Sequence, residues 1–233
     1  MIRNDTNLGF AKAVNQGIKK STGEYILLLN TDAFVTQGQL TALVSTLESD
    51  KQFGIIAPKL LNQDGSIQSS YGNFPSLTSI FFHALSLERL FLKGLIIYQR
   101  KTSPPPSPKK RGGNGEVIFP DWVSGACMLI KRSVIDRVGF FDEHYFMGIE
   151  DIDFCYRVQQ AGFRVVYDRE QHILHYHQYT SKKLKTRSII VQSEIEGLSY
   201  FYKKFYPTHR LRLALVRLLL TVKNILRRIR LFV

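Results

Sequence analysis

The chain has 233 residues, 44% of them hydrophobic, with 16 Phe and 11 Tyr, which excludes a disordered chain and suits one α/β domain with an appendage. Two cysteines, Cys127 and Cys155, lie in apolar surroundings; they exclude a disulfide framework or cysteine metal site and fit buried thiols in a reducing compartment. The net charge of +13 is concentrated in residues 182–233, where 13 Lys/Arg face only Glu194 and Glu196, so a negatively charged partner for the tail is expected.

The opening MIRNDTNLGF lacks the apolar segment of a secretion signal. Asn7–Lys20 reads as a glycine-containing turn and a short helix, with Phe10, Val14, Gly17 and Ile18 at helical spacing and Thr22-Gly23 as the stop. Tyr25–Leu29 is short and uniformly apolar, the pattern of a central parallel strand covered on both faces. Gln39–Ser49 is helical, with Leu40, Leu43, Val44 and Leu47 on one side, and Gly54–Pro58 is a second buried strand. Asn62–Gly65 forms a turn that opens a hairpin. Phe74–Tyr98 is apolar without a clear period, and the Pro-rich, basic run 102–115 reads as a disordered or extended insertion. Order resumes with Trp122–Ile130, a strand interrupted by Gly125, and a short helix over Ser133–Val138. A helix over Ile152–Ala161 is closed by Gly162, and two strands follow, Arg164–Tyr167 and Ile173–His177. Alternating strands and helices predict an α/β sheet followed by a helical tail.

Three groups carry candidate chemistry. In open α/β sheets, ligands bind beyond the carboxyl ends of strands, where Asn30-Thr31-Asp32 follows the apolar run. There Asp32 either holds a hard divalent cation through oxygen or caps the next turn. Glu150-Asp151-Ile-Asp153 opens a helix, where the macrodipole favours negative charge. Asp153 reads as the structural acid, paired with Arg157 at i,i+4, while Asp151 is either a general base or an N-terminal cap. On an extended segment His175 and His177 point to one face, so they either share a ligand or serve the fold.

The order of these segments is more specific than any one of them. NLGFAKAVNQGI, GEYILLLNTDAFV, GIIAPKLLNQDGSIQ, WVSGACMLIKRSVIDRVGFFDEHYFMGIEDIDFCYRVQQAGFRVVY and ILHYH together resemble the family 2 glycosyltransferases, especially the bacterial rhamnosyltransferase-like branch. The resemblance spans about residues 3–181 and implies a GT-A fold with a mainly parallel central sheet. It implies sugar transfer from a nucleotide-diphosphate donor, with inversion, to a membrane-linked or cell-surface polysaccharide acceptor. Asp32 matches the metal-binding acid, with Mg²⁺ or Mn²⁺ as cofactor, and His175 the later metal ligand, with His177 as second choice. Asp151 matches the catalytic base and Glu150 the residue supporting it. Asn7, Gly9 and Asn15 match the nucleotide pocket, Asn30 stands beside the metal acid, and Trp122, Ser124 and Gly125 match the strand and turn flanking donor and acceptor. The chain departs from the family in lacking its first βαβ unit and starting at what reads as the third strand, Met1–Asn4.

Residues 1–181 are therefore expected to form the transferase domain and 182–233 a basic helical extension. From His209 to Val233, Leu211, Leu215, Leu218, Val222, Ile225 and Ile229 recur every three or four residues, with Leu219 and Leu226 widening the stripe. This reads as an amphipathic helix on an anionic membrane surface, or as a helix packed on the body with its arginines in solvent. Its apolar run is too short to span a bilayer. No nucleic acid is expected, because aromatic residues do not interleave with the charges. The implied location is cytoplasmic, peripheral at the inner face of the cell membrane. The rival readings are an inactive remnant or sugar-binding module, and a membrane adaptor acting through the tail.

Overall fold

The computed structural model describes residues 1–76, 110–112, 115–176, 184–207, 211, 214–219 and 221–222. Its elements in chain order are α1 (Phe10–Lys20), β1 (Tyr25–Leu29), β2 (Ala33–Phe34), α2 (Gln37–Glu48), β3 (Phe53–Leu61), β4 (Tyr71–Gly72), β5 (Lys110–Gly112), β6 (Gly115–Ile118), β7 (Trp122–Val123), β8 (Cys127–Lys131), α3 (Arg132–Val138), α4 (Glu150–Gln160), β9 (Arg164–His175) and α5 (Leu184–Phe205).

The centre of the molecule is β3 against β9. Their parallel ladder is the longest in the sheet, and Ile55, Ile56 and Ala57 are buried on alternate faces. The strand order is β1-β8-β3-β9-β6-β5, with β2 also on β9. The sheet is mixed: β8 pairs antiparallel with both β1 and β3, and β6 and β2 antiparallel with β9. One face buries Ile55, Met128 and Ile130 with Ala11, Val134, Ile152 and Phe154 of α1, α3 and α4. The other buries Ile56, Leu129 and Val166 beneath Leu43 and Leu47 of α2. Helices on both faces make this an α/β architecture. A capping box sets the start of α2: Thr36 Oγ1 accepts from Gln39 N, and the Gln39 side chain accepts from Thr36 N.

Several sequence expectations are corrected. Tyr25–Leu29 lies at the end of the described strand order, antiparallel to β8, with Leu29 38% exposed, because an apolar run alone does not distinguish a central strand from a flanking one. Met1–Asn4 is exposed and not a strand. The two strands expected over 164–177 are one, β9, whose ladder with β3 jumps at Pro58/Lys59, where residues 169–171 have no partner in the ladder. There Asp168 Oδ1 accepts from the amides of Glu170 and Gln171, holding the polar irregularity that made the strand look broken. Within the Pro-rich run, 110–112 pairs antiparallel with 115–118, so this part is sheet; 102–109 and 113–114 lie outside the described residues. Most of Phe74–Tyr98 also lies outside them.

The tail divides the two readings made of it. Leu198, Phe201 and Tyr202 of α5, with Val216 and Leu219 beyond it, join the core that also holds Ile149, Ile152 and Phe154. The boundary at 181 therefore does not divide the packing. Within the apolar stripe Leu219 is buried, as a helix packed on the body requires, whereas Leu211 (84%), Leu215 (43%) and Leu218 (59%) face outward. Residues 223–233 lie outside the described set, and among the described residues no helix is long and apolar enough to cross a membrane.

Candidate active site

The end of β1 answers why an apolar strand should deliver a carboxylate. Asn30 N donates to Ala126 O (2.9 Å), extending the β1–β8 pairing by one residue. The chain then turns, with Ala33 N donating to Asn30 O (3.0 Å), and β2 lands beside β9 with Ala33 opposite His175. Asp32 sits on this turn, and its Oδ1 lies 3.2 Å from His175 Nε2. His175 is buried and bracketed by Gln68: its Nδ1 is 2.8 Å from Gln68 Oε1, and Gln68 Nε2 donates to His175 O (2.6 Å). Gln68 Nε2 also donates to Asn62 Oδ1 (2.8 Å), which fixes the amide with its oxygen toward the imidazole. The proton therefore sits on Nδ1, and Nε2 turns toward Asp32 and toward Asn30 Nδ2 at 3.3 Å. A carboxylate oxygen and an imidazole nitrogen fit a divalent cation of the Mn²⁺ type as a partial site, with other ligands to come from a bound diphosphate. Among the described residues no three His, Cys, Asp or Glu side chains form a larger cluster. His177 lies outside the described residues.

The second carboxylate is Asp151, in the first turn of α4, after Gly148 in the left-handed region at φ 103°. Its Oδ1 accepts from Ile152 N (2.8 Å) and its Oδ2 from Gly125 N (3.4 Å). Burial, and then the neighbouring charge of Glu150, push the Asp151 carboxyl up to about 8, against the pull of these amides. Glu150 is buried and folds back onto the helix start, where its Oε2 accepts from Ile149 N (2.9 Å). Burial raises its pKa too. Its effect on Asp151 is thus electrostatic. Asp153 is fully buried, with Oδ1 2.7 Å from Arg157 Nε, as the i,i+4 spacing predicts.

Consecutive residues connect the two carboxylates. Gly125 N binds Asp151 and Ala126 O binds Asn30, so the turn before β8 is fastened to α4 and to the end of β1. An added Cβ at Gly125 would lie 3.0 Å from the Phe10 ring, which would have to give by a few tenths of an ångström. Ser124 Oγ accepts from Ala126 N (3.3 Å), stiffening the same turn.

Other expected site residues serve the scaffold. Asn15 is buried and fully committed: Nδ2 donates to Phe141 O and Glu143 Oε1, both at 2.9 Å, and Oδ1 accepts from Phe141 N (3.0 Å). These bonds tie α1 to the 141–143 segment. Trp122 is a core residue whose Nε1 donates to Asn73 O (3.0 Å). Asn7 Oδ1 accepts from Gly9 N (3.0 Å), and Gly9, at φ 85°, is enclosed by Phe146, whose carbonyl lies 2.7 Å from where a Cβ would stand. Together they shape the entry to α1. Gln68 escaped the sequence reading; its only signal is its place just after the Asn62–Gly65 turn.

The mixed α/β sheet covered by helices on both faces is the GT-A fold. The fold aligns with the crystal structure of GalNAc-T7 with UDP, GalNAc and Mn²⁺ at a TM-score of 0.55 and 15% identity, covering 96% of this chain and 43% of that one. The family model described as Glycosyl transferase family 2 matches residues 1–103. The N-acetylglucosaminyl-diphospho-decaprenol L-rhamnosyltransferase of Mycobacterium tuberculosis is 30% identical over 181 residues, 73% of this chain and 56% of that protein. Rhamnosyltransferase WbbL of Escherichia coli K12 is 27% identical over 177 residues, 75% of this chain and 61% of that protein. The chain belongs to glycosyl transferase family 2 and is rhamnosyltransferase-like; it spans a little over half the length of these two relatives.

Proposed function

We propose that this chain carries the chemical centre of an inverting glycosyltransferase that moves a sugar from a nucleotide-diphosphate donor to a lipid-linked saccharide. The relatives' names favour L-rhamnose as the sugar and an N-acetylglucosaminyl-diphospho-polyprenol as the acceptor class. The observation that carries the reading is the Ser124–Ala126 turn, bonded on one side to Asp151 and on the other to the β1 end that bears Asp32. Asp151 removes the proton from the acceptor hydroxyl as its oxygen forms the new bond to the anomeric carbon and the bond to the diphosphate breaks. Its raised pKa matches a base working near neutral pH. Ile152 N and Gly125 N fix the direction of the carboxylate. Asp32 and His175 are the residues to hold Mg²⁺ or Mn²⁺, which when bound would offset the charge growing on the departing diphosphate. Gln68 keeps the His175 lone pair aimed at that position.

The tail supports attachment to an anionic bilayer. Val216 and Leu219 fasten this helical stretch to the body while Leu211, Leu215 and Leu218 project beside Arg217. Such a surface would bring the site to a lipid-linked acceptor.

The deciding experiment supplies the full chain with a nucleotide-activated L-rhamnose, an N-acetylglucosaminyl-diphospho-polyprenol and Mn²⁺. Product formation by the wild type and its loss in a folded Asp151→Asn variant is the expected result. Equal turnover in that variant removes Asp151 as base; donor binding without any turnover favours the sugar-binding module.

A further inference from the structure

The first turn of α4 is gripped from outside by the tail. Lys204 of α5 places Nζ 2.7 Å from Asp153 Oδ2 and 2.7 Å from Asp142 Oδ2. Asp153 has no exposed side-chain surface, and Tyr145 Oη donates to the same Oδ2 (3.1 Å) while Arg157 holds Oδ1. Arg157 also donates to Val138 O (3.1 Å) and Phe140 O (2.9 Å), so the network extends to the loop leading into α4. Higher on the same face of α5, Tyr200 stacks on His144 with ring centroids 3.8 Å apart, and its Oη donates to Asp142 Oδ2 (3.2 Å). One turn earlier, Gly197 lets Ile149 approach: a Cβ there would lie 2.9 Å from the Ile149 side chain. Ile149 is the residue on which α4 begins, immediately before Glu150 and Asp151.

We propose that α5 is the positioning element of the catalytic base: Lys204, by joining Asp153 to Asp142, and Gly197, by seating Ile149, fix the first turn of α4 and so the place of Asp151. This rests on Asp151 being the base. Asp153 and Asp151 share that turn, so the fully buried Asp153 is the point where an external cation can lock it. The alternative for such a tail helix is simply to cover apolar surface, which Leu198 and Phe201 already do. A lysine bridging two acids at the entrance of α4 adds direction to that cover. Lys204 touches neither reacting atoms nor metal ligands; it acts through Asp153.

The full chain is tested as wild type, Lys204→Met, Lys204→Arg and Gly197→Ala, in the transfer assay above and by amide hydrogen exchange. In Lys204→Met, kcat is expected to fall roughly tenfold to a hundredfold with the donor KM within about twofold, the signature of a displaced base in an intact donor site. Exchange should quicken over residues 142–153 and stay unchanged over β3 and β9. Lys204→Arg keeps a cation and should recover most of kcat. Gly197→Ala leaves Lys204 in place and should reproduce the kcat loss by displacing Ile149, which keeps the idea testable if Lys204→Met folds poorly. Wild-type kcat or unchanged exchange in both Lys204→Met and Gly197→Ala overturns the proposal. If the wild type shows no transfer, the functional reading fails by itself, and exchange over 142–153 still decides whether α5 holds the turn.

Discussion

The raised pKa of Asp151 makes the pH–rate profile the sharpest check on the base. With a carboxyl titrating at about 8, roughly one site in a hundred is ionised at pH 6 and one in two at pH 8. kcat/KM, which reports the free enzyme, should therefore rise about fiftyfold between pH 6 and 8 and level off above 9. Glu150→Gln removes the charge that is the second cause of the shift, so its profile should move toward acid by roughly one unit, while burial, the first cause, persists. The sign for stability is fixed by the same shift. Between about pH 4 and 8 the unfolded chain has lost a proton that the folded chain keeps on Asp151, so this group's contribution to stability falls as pH rises. Asp151→Asn should flatten that slope in thermal melts. A profile level from pH 6 to 9, or one that falls through this range, refutes the assignment of Asp151 as base.

Asp32→Ala and His175→Ala should each weaken Mn²⁺-dependent donor binding by roughly tenfold or more in calorimetric titration while leaving metal-free binding unchanged; equal affinity with and without the substitution removes the residue from the metal site. Asp153→Ala leaves the Arg157 and Lys204 charges in the network without their buried partner, so chemical denaturation should show a loss of about 3–5 kcal/mol, and a loss below ~1 kcal/mol would refute its place as the hub. Leu215→Asp with Leu218→Asp should abolish flotation on vesicles rich in anionic phospholipid while preserving the melting temperature, since both side chains face outward. Retained flotation removes this face from membrane attachment.

The legible parts of the fold were those with a local cause. The helical spacing in α1, α2 and α4, the Gly65 turn, the Gly162 stop and the Asp153–Arg157 pair all follow from neighbours in sequence. Asp32, Asp151 and His175 each had a structural alternative when read locally, and only the order of the family-like segments singled them out. Long-range partners left no such trace. Nothing near Gln68 announces that it brackets an imidazole 107 residues away, and nothing near Lys204 announces Asp153, 51 residues earlier. The carbonyl partners of Asn15 and Trp122 were equally invisible: a polar side chain in a helix and a tryptophan beside a turn carry no local mark of the main-chain oxygen they bond. Apolar spacing in the tail did not say which residues pack on the body: Val216 and Leu219 are buried while Leu211, Leu215 and Leu218 are exposed.

The turn before β8 has an implication for how such a centre could change its specificity. One short piece of main chain is hydrogen-bonded to Asp151 and to Asn30, two residues before Asp32, so the relative placement of the two acids is set by backbone contacts and not by the loops around them. Loops around the rim can be exchanged to admit another acceptor, and the spacing that the chemistry needs would carry over without retuning.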